Sequence, residues 1–184
     1  MAAASFDPSG FFEFDLATGS VHARGTGRVL ILSDSVVAPL VSAAVGNGDL
    51  TSVRKLGREL GDCVVEQLGG GVLDAPVETV LEAAAGVLSL MGWGRLQIDR
   101  WGEALVASLE QIPHLDDDHL GVAALLGGLM SRLADREIAC VPVSAEGHFL
   151  LVEPSVAQKV WKWSRSGDDI AAIVGRLAPP TEAS

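Results

Sequence analysis

Apolar and polar positions divide this chain into alternating runs at its start, helical stripes through its middle, and a mixture of the two toward its end. Residues 11–16 alternate, with Phe12 and Phe14 set against Glu13 and Asp15, the signature of a half-buried strand. Thr18-Gly19 turns that strand and residues 20–24 return. Gly25-Thr26-Gly27 breaks the chain again, and residues 28–32 (RVLIL) predict a short, fully apolar strand. Ser33 or Ser35 can cap a helix over residues 36–45, with Pro39 near its first turn, where proline is tolerated. After Gly46-Asn47-Gly48, Asp49 or Thr51 can cap a long helix to Leu68. One face of it carries Leu50, Val53, Leu56, Leu60, Val64 and Leu68, and its solvated side carries Arg54, Lys55, Arg58 and Glu59. Gly57 and Gly61 lie four apart, so that a neighbouring helix can approach closely there. Gly69-Gly70-Gly71 is a break, and Asp74 and Pro76 open a helix over residues 77–90.

The second half repeats the alternation. Residues 95–100 place Leu96 and Ile98 on one side and Gln97 and Asp99 on the other. Trp101-Gly102-Glu103 predicts a bend, and residues 104–109 another strand. Residues 116–152 organise the rest: DDDHLGVAALLGGLMSRLADREIACVPVSAEGHFLLV. An aspartate among Asp116, Asp117 and Asp118 can cap the helix that follows and suits the positive end of its dipole. Leu120, Val122, Ala123, Leu125, Leu126, Leu129, Met130 and Leu133 cover more than one face, which predicts burial on most sides. Gly121, Gly127 and Gly128 cost that helix about 1 kcal/mol each against alanine, and close approach of another backbone is the compensation they predict. A hairpin follows, with strands over 137–143 and 148–152 around Ala145-Glu146-Gly147, and Pro154 stops it. Ser155 starts a helix through Trp161 and Trp163, Ser166-Gly167-Asp168 interrupts it, and residues 170–177 form a last short helix. Residues 1–10 and 178–184 read as flexible tails around one domain at 11–177.

Composition narrows the picture. Apolar residues are 48% and aromatics 5%, with no tyrosine, so the core is built from Ala, Val and Leu, which favours helices packed closely on a sheet. Charged residues are 20% and the mean hydropathy is +0.34, yet no run of 18 apolar residues is free of charge and glycine, so no membrane span is predicted. The surplus apolar surface points instead to an oligomer or an internal ligand cavity. A net charge of −11 argues against nucleic acid, which demands clustered Lys and Arg. Cys63 and Cys140 have no short spacing, which fits a reducing cytoplasm without a disulfide framework. Residues 1–7 lack the basic and apolar regions of a signal peptide, so a cytoplasmic location is expected.

Candidate chemistry is sparse. Gly25-Thr26-Gly27 is followed by a strand rather than a helix, which denies it phosphate-cradling geometry. His114, His119 and His148 with Cys140 and the three aspartates supply metal-ligand types, but their spacings match no structural zinc run, and no metal is predicted. Cys63 sits mid-helix beside Asp62 and Glu66, whose charges blunt a thiol. The sequence has no Gly-x-Ser-x-Gly and no Walker loop. Trp161 and Trp163 are two apart and face different sides of a helix, which predicts one exposed or in an interface.

Taken together, RVLILSDSVVAPL after an N-terminal strand pair, the glycine-centred helix LGRELGDCVVEQL, the strand pair WGRLQIDRWGEALVASLEQIPH and the block GGLMSRLADREIACVPVSAEGHFLLV are similar to a known pattern. It resembles the 4-vinyl-reductase domain family and the related Bet-three-type subunits of the transport protein particle (TRAPP), over residues 11–152. The resemblance implies an α+β fold, a twisted antiparallel sheet with helices packed on it, dimeric through helices. It also implies one of two roles. Ligand-sensing relatives, among them phenol-sensing transcription regulators, hold small apolar molecules in a cavity between sheet and helices. Trafficking relatives are scaffolds, some holding a fatty acyl chain. The sensors carry zinc cysteines around the last hairpin, whereas here only Cys140 lies near Ser144-Ala145-Glu146-Gly147-His148-Phe149.

The leading expectation is therefore a cytoplasmic, homodimeric, non-enzymatic regulatory module that binds an apolar small molecule or acyl chain, without a confident cofactor. Candidate ligand-binding residues are Cys63, Trp93, Trp101 and Met130, and candidate interface residues are Gly57, Gly61, Trp161 and Trp163. The alternative is a TRAPP-like scaffold or adaptor working through protein contacts, with a small GTPase or a signalling complex as partner. A tetrapyrrole-related enzyme or accessory ranks third, because no residue here supports catalysis.

Overall fold

A computed structural model describes residue 6, residues 8–102 and residues 104–177. The tail at 178–184, most of the tail at 1–10 and Glu103 of the bend lie outside the described residues. The fold is α+β. Strands β1 (Phe12–Asp15), β2 (Ser20–Ala23) and β3 (Gly27–Val29) form one antiparallel sheet in the order β1-β2-β3. Helices α1 (Asp34–Gly46), α2 (Thr51–Gln67) and α3 (Val77–Leu90) follow. Then come β4 (Arg95–Trp101), β5 (Ala104–Glu110), α4 (Leu120–Leu133), β6 (Ala139–Pro142) and β7 (His148–Val152). These four strands make a second antiparallel sheet in the order β4-β5-β7-β6, and α5 (Pro154–Arg165) and α6 (Ile170–Leu177) close the chain. The two sheets share a core, since Phe11 and Ala23 belong to the same buried cluster as Leu96, Ala107 and Phe149.

The strands of the larger sheet alternate as a two-residue period requires, and two layers of helices use the two faces. Ala107 and Leu109 of β5 and Phe149 of β7 face the main cluster with α2, α3 and α4, while Val106, Val141 and Leu150 face a second cluster with Val160 of α5 and Ile173 of α6. Register fixes this arrangement, with Val106 opposite Leu150 and Ala107 opposite Phe149. β4 keeps a polar outer face, at Gln97 and Asp99. Pro142 sits on β6, an edge strand, where a missing N–H is tolerated.

α4 is buried along most of its length, as its apolar pattern predicts. Its cap is Asp116, whose carboxylate accepts from the N–H of Leu120 at 2.7 Å and of Gly121 at 2.8 Å. The intervening His119 takes φ +54°, which turns the chain into the helix. The most extensive helix contact is α2 on α4. A Cβ on Gly57 would lie 1.9 Å from the Leu125 carbonyl oxygen, and one on Gly128 would lie 2.0 Å from that of Arg54. The close backbone approach is met at Gly57 and Gly128, whereas Gly61 faces the Arg132 side chain, Gly127 the Arg54 guanidinium and Gly121 the Val41 side chain. That approach brings Arg54 alongside the start of β6, where its Nη2 donates to Ser131 Oγ at 2.8 Å, Glu137 Oε2 at 2.6 Å and the Ile138 carbonyl at 2.9 Å.

Residues 28–32 correct the sequence reading. Strand β3 ends at Val29, and Leu30, Ile31 and Leu32 are exposed rather than a buried strand. Val21 opposite Val29 is the last pair, because β2 begins at Ser20 and the chain before it turns, so nothing extends the ladder. The single sheet implied by the family resemblance is also two sheets here.

The glycine contact sets an expectation for stability. Gly128→Ala forces α2 and α4 apart and is expected to lower unfolding stability by about 1–3 kcal/mol. Gly175→Ala, in α6 with open space around it, is expected to raise stability by about 0.5–1 kcal/mol. Urea unfolding midpoints of the two variants check both signs.

Candidate functional site

A cavity of about 280 Å³ opens where the start of α4, the β6–β7 turn and the end of α5 meet. Its walls include Asp118, His119, Ser144, Trp161, Ser164 and Arg165, with Asp117 at its rim. Each wall is fixed by its own element. Capping by Asp116 and the left-handed turn at His119 orient Asp117, Asp118 and His119. Ser144 Oγ lies 2.7 Å from His148 Nδ1 and also accepts from the Glu146 N–H at 3.2 Å, which pins the turn. Gly147, at φ +84°, passes so close to β5 that a Cβ would sit 2.6 Å from the Leu109 carbonyl oxygen. Ser164 Oγ donates to the Pro142 carbonyl at 3.1 Å and ties α5 to β6.

Charge and aromatic surface meet on one wall. The Arg165 guanidinium carbon lies 5.5 Å from the centre of the Trp161 ring, and Arg165 Nη1 is 2.5 Å from Asp118 Oδ1. The His119 ring lies edge-on to Phe149 at 6.5 Å. Its Nδ1 is shielded from solvent and has no hydrogen-bond partner among the described residues.

The sequence candidates are dispersed. Cys63 of α2 and Met130 of α4 are buried in the main core, Trp93 packs half-buried at its edge, and Trp101 is 41% exposed at the end of β4. None of these four ligand candidates lines the cavity. Gly57 and Gly61 face α4 inside the chain, where Gly61 makes room for the Arg132 side chain. Trp161 is a cavity wall, and Trp163 packs on the same second cluster with the Arg176 guanidinium 5.4 Å from its ring. Neither tryptophan stands free. Ser144, Ser164 and Arg165 escaped the sequence reading, although Trp161 and Arg165 at i, i+4 on one helix carried a legible signal.

The metal-ligand types are also dispersed. His114 pairs with Asp117 at 3.7 Å on the surface, and His148 is engaged by Ser144. No group of three His, Cys, Asp or Glu among the described residues is placed to hold a metal. Burial pushes the Cys63 thiol up; the Thr26 hydroxyl at 3.2 Å opposes it, and Asp62 and Glu59 reinforce it weakly. Glu59, one turn away, acts there in place of the Glu66 expected from sequence. Burial pushes Cys140 up to about 12, against the pull of Arg54. Both thiols are therefore poor nucleophiles near neutral pH.

A second surface feature is apolar. Leu30, Ile31 and Leu32 are 77%, 70% and 56% exposed, and Val36 and Leu40 of α1 are 52% and 67% exposed. Val36, Leu40 and Ala43 follow i, i+4, i+7 spacing on the outer side of α1, while Val41 is buried against Gly121 of α4. Residues 29–45 contain one charge, Asp34, in a chain of net charge −11. No protein-family model matches the chain, and no curated protein matches it.

The raised thiol gives a pH expectation. Folded Cys140 keeps its proton to about pH 12, while in the unfolded chain it ionises near its ordinary value of 9.0. Its stabilising contribution is complete below pH 9 and is lost as the pH climbs toward 12. Unfolding stability should therefore fall over that window, and less steeply in Cys140→Ala. Urea midpoints measured across the window check the difference in slope.

Proposed function

We propose that this chain is a non-enzymatic scaffold or adaptor of the TRAPP-like kind, acting as a homodimer through α1 and the apolar run before it. One observation carries the reading: five large apolar side chains, at positions 30, 31, 32, 36 and 40, stand exposed on a continuous stretch that holds one charge. A second copy is the occupant that fits. A two-fold contact sets the same patch against itself, so a patch with a single charge, Asp34, is the place where two chains of net charge −11 meet with little repulsion.

The apolar-ligand reading ranks second. None of its four candidate residues lines the cavity, whose walls carry carboxylates, an imidazole, hydroxyls and a guanidinium. A tetrapyrrole-related enzyme ranks third, since both thiols are held protonated by burial. No described helix is long and apolar enough to cross a membrane. The cytoplasm is the compartment we assign, on the two free cysteines.

Light scattering coupled to size-exclusion chromatography at micromolar concentration tests the reading. The wild type should elute as a dimer, and Ile31→Glu combined with Leu40→Glu as a monomer with an unchanged circular dichroism spectrum. A monomeric wild type overturns the self-association, and a dimeric double variant overturns the surface assigned to it.

A further inference from the structure

A cation of the chain itself stands at the mouth of the cavity beside Trp161, with its side chain 59% exposed. The Arg165 guanidinium rests over the Trp161 ring at 5.5 Å and pairs with Asp118 at 2.5 Å. An indole face and a carboxylate at right distances form a recognition element for alkylammonium and guanidinium groups. The other walls are biased the same way. Asp117 adds a second carboxylate, fully exposed at the rim and 3.7 Å from His114. His119 adds an imidazole to the lining. Ser144 and Ser164 add hydroxyl oxygens.

Donors left free to meet an anion are few on the same walls. The backbone N–H groups of Leu120 and Gly121, which a helix start would offer, are taken by Asp116. Arg165 is the one basic residue among the lining residues, and Asp118 neutralises it. Two carboxylates against one guanidinium leave the lining acidic, within a chain of net charge −11 that draws cations toward it.

We propose that this cavity is a binding site for a small organic cation, an alkyl chain ending in a primary ammonium or guanidinium group, and that Arg165 is an internal occupant which the ligand displaces from Trp161 and Asp118. The cationic group takes the place of the Arg165 guanidinium. The alkyl chain lies along the apolar edge of the cavity at Pro142 and Ala145. Competition with Arg165 makes the wild type a weak binder by design of the site, because each binding event first breaks an ion pair. A free polyamine and an arginine or lysine side chain of a partner share this chemistry.

The probes are agmatine, which carries a guanidinium and an ammonium on one alkyl chain, and an acetylated, amidated arginine as the protein-like form. Isothermal titration calorimetry of the full chain at fixed ionic strength, with a neutral alkyl amide as control, reads the affinities. Saturable binding of agmatine is expected, tightened about tenfold in Arg165→Gln and weakened about tenfold in Asp118→Asn. Both variants are checked by circular dichroism, and neither side chain is part of the core. Binding of the arginine derivative as well assigns the site to a protein side chain, and binding of agmatine alone assigns it to a free amine. Absence of saturable binding in both the wild type and Arg165→Gln overturns the proposal. Affinity that Asp118→Asn leaves unchanged, or that Arg165→Gln weakens, overturns the site or the competition.

Discussion

The contact of α2 with α4 at Gly57 and Gly128 is the constraint from which the rest of this structure follows. With no Cβ on either side, the two helix backbones touch, each glycine lying against a carbonyl of the facing helix. Ordinary side chains there would hold helix axes about 8–10 Å apart. At the closer distance Arg54 reaches past α4, where Gly127 leaves room for its guanidinium. It then joins Ser131, Glu137 and the Ile138 carbonyl, and Arg58 pairs with Glu137 as well. Ser131 Oγ completes the junction by accepting from the Ile138 N–H at 2.9 Å. The chain leaving α4 is thereby aimed into β6. A contact that each glycine weakens within its own helix becomes, between helices, the means by which helical and sheet layers are joined.

That junction determines what lies on the opposite face of the sheet. β6 and β7 carry Cys140 and Phe149 inward to α4 and Val141 and Leu150 outward to α5 and α6. The outward residues demand a cover, and the amphipathic α5 and α6 supply it with Val160 and Ile173. β4 makes no such demand, since Gln97 and Asp99 are polar, so the cover ends short of it. Placing α5 over β6 brings Trp161, Ser164 and Arg165 to the residues that precede α4, and the cavity is the space left between them.

Legibility in the sequence tracks how local each signal is. α2 through α4 and both hairpins were readable because hydrophobic period and turn glycines are properties of a few consecutive residues. The glycine pairs were readable as close contacts, since a buried helix has little other use for them, although their partner was not. Residues 28–32 misled because an apolar run reads identically whether a neighbouring strand covers it or none does. Its exposure depends on where β2 begins, which is a tertiary fact. The cavity was largely illegible for the same reason. Asp118, Ser144 and Trp161 are separated by tens of residues and are ordinary in their own neighbourhoods, and only the Trp161–Arg165 spacing was local.

The apolar surface and the cavity are joined by a short chain of packed atoms. Val41, on the inner side of α1, sits where a Cβ of Gly121 would be 2.2 Å from its Cγ1, and the same Gly121 donates its N–H to the Asp116 carboxylate. Asp116 in turn sets the turn through Asp117, Asp118 and His119. Contact alone does not make coupling, which requires that a ligand bind one of two arrangements better than the other. α1 meets the main core through buried Val41, with Val37, Ala38 and Val45 packed beside it, while its outer face carries Val36 and Leu40 into solvent. Its inner side and the start of α4 therefore share one structural support, the contact of Val41 with Gly121.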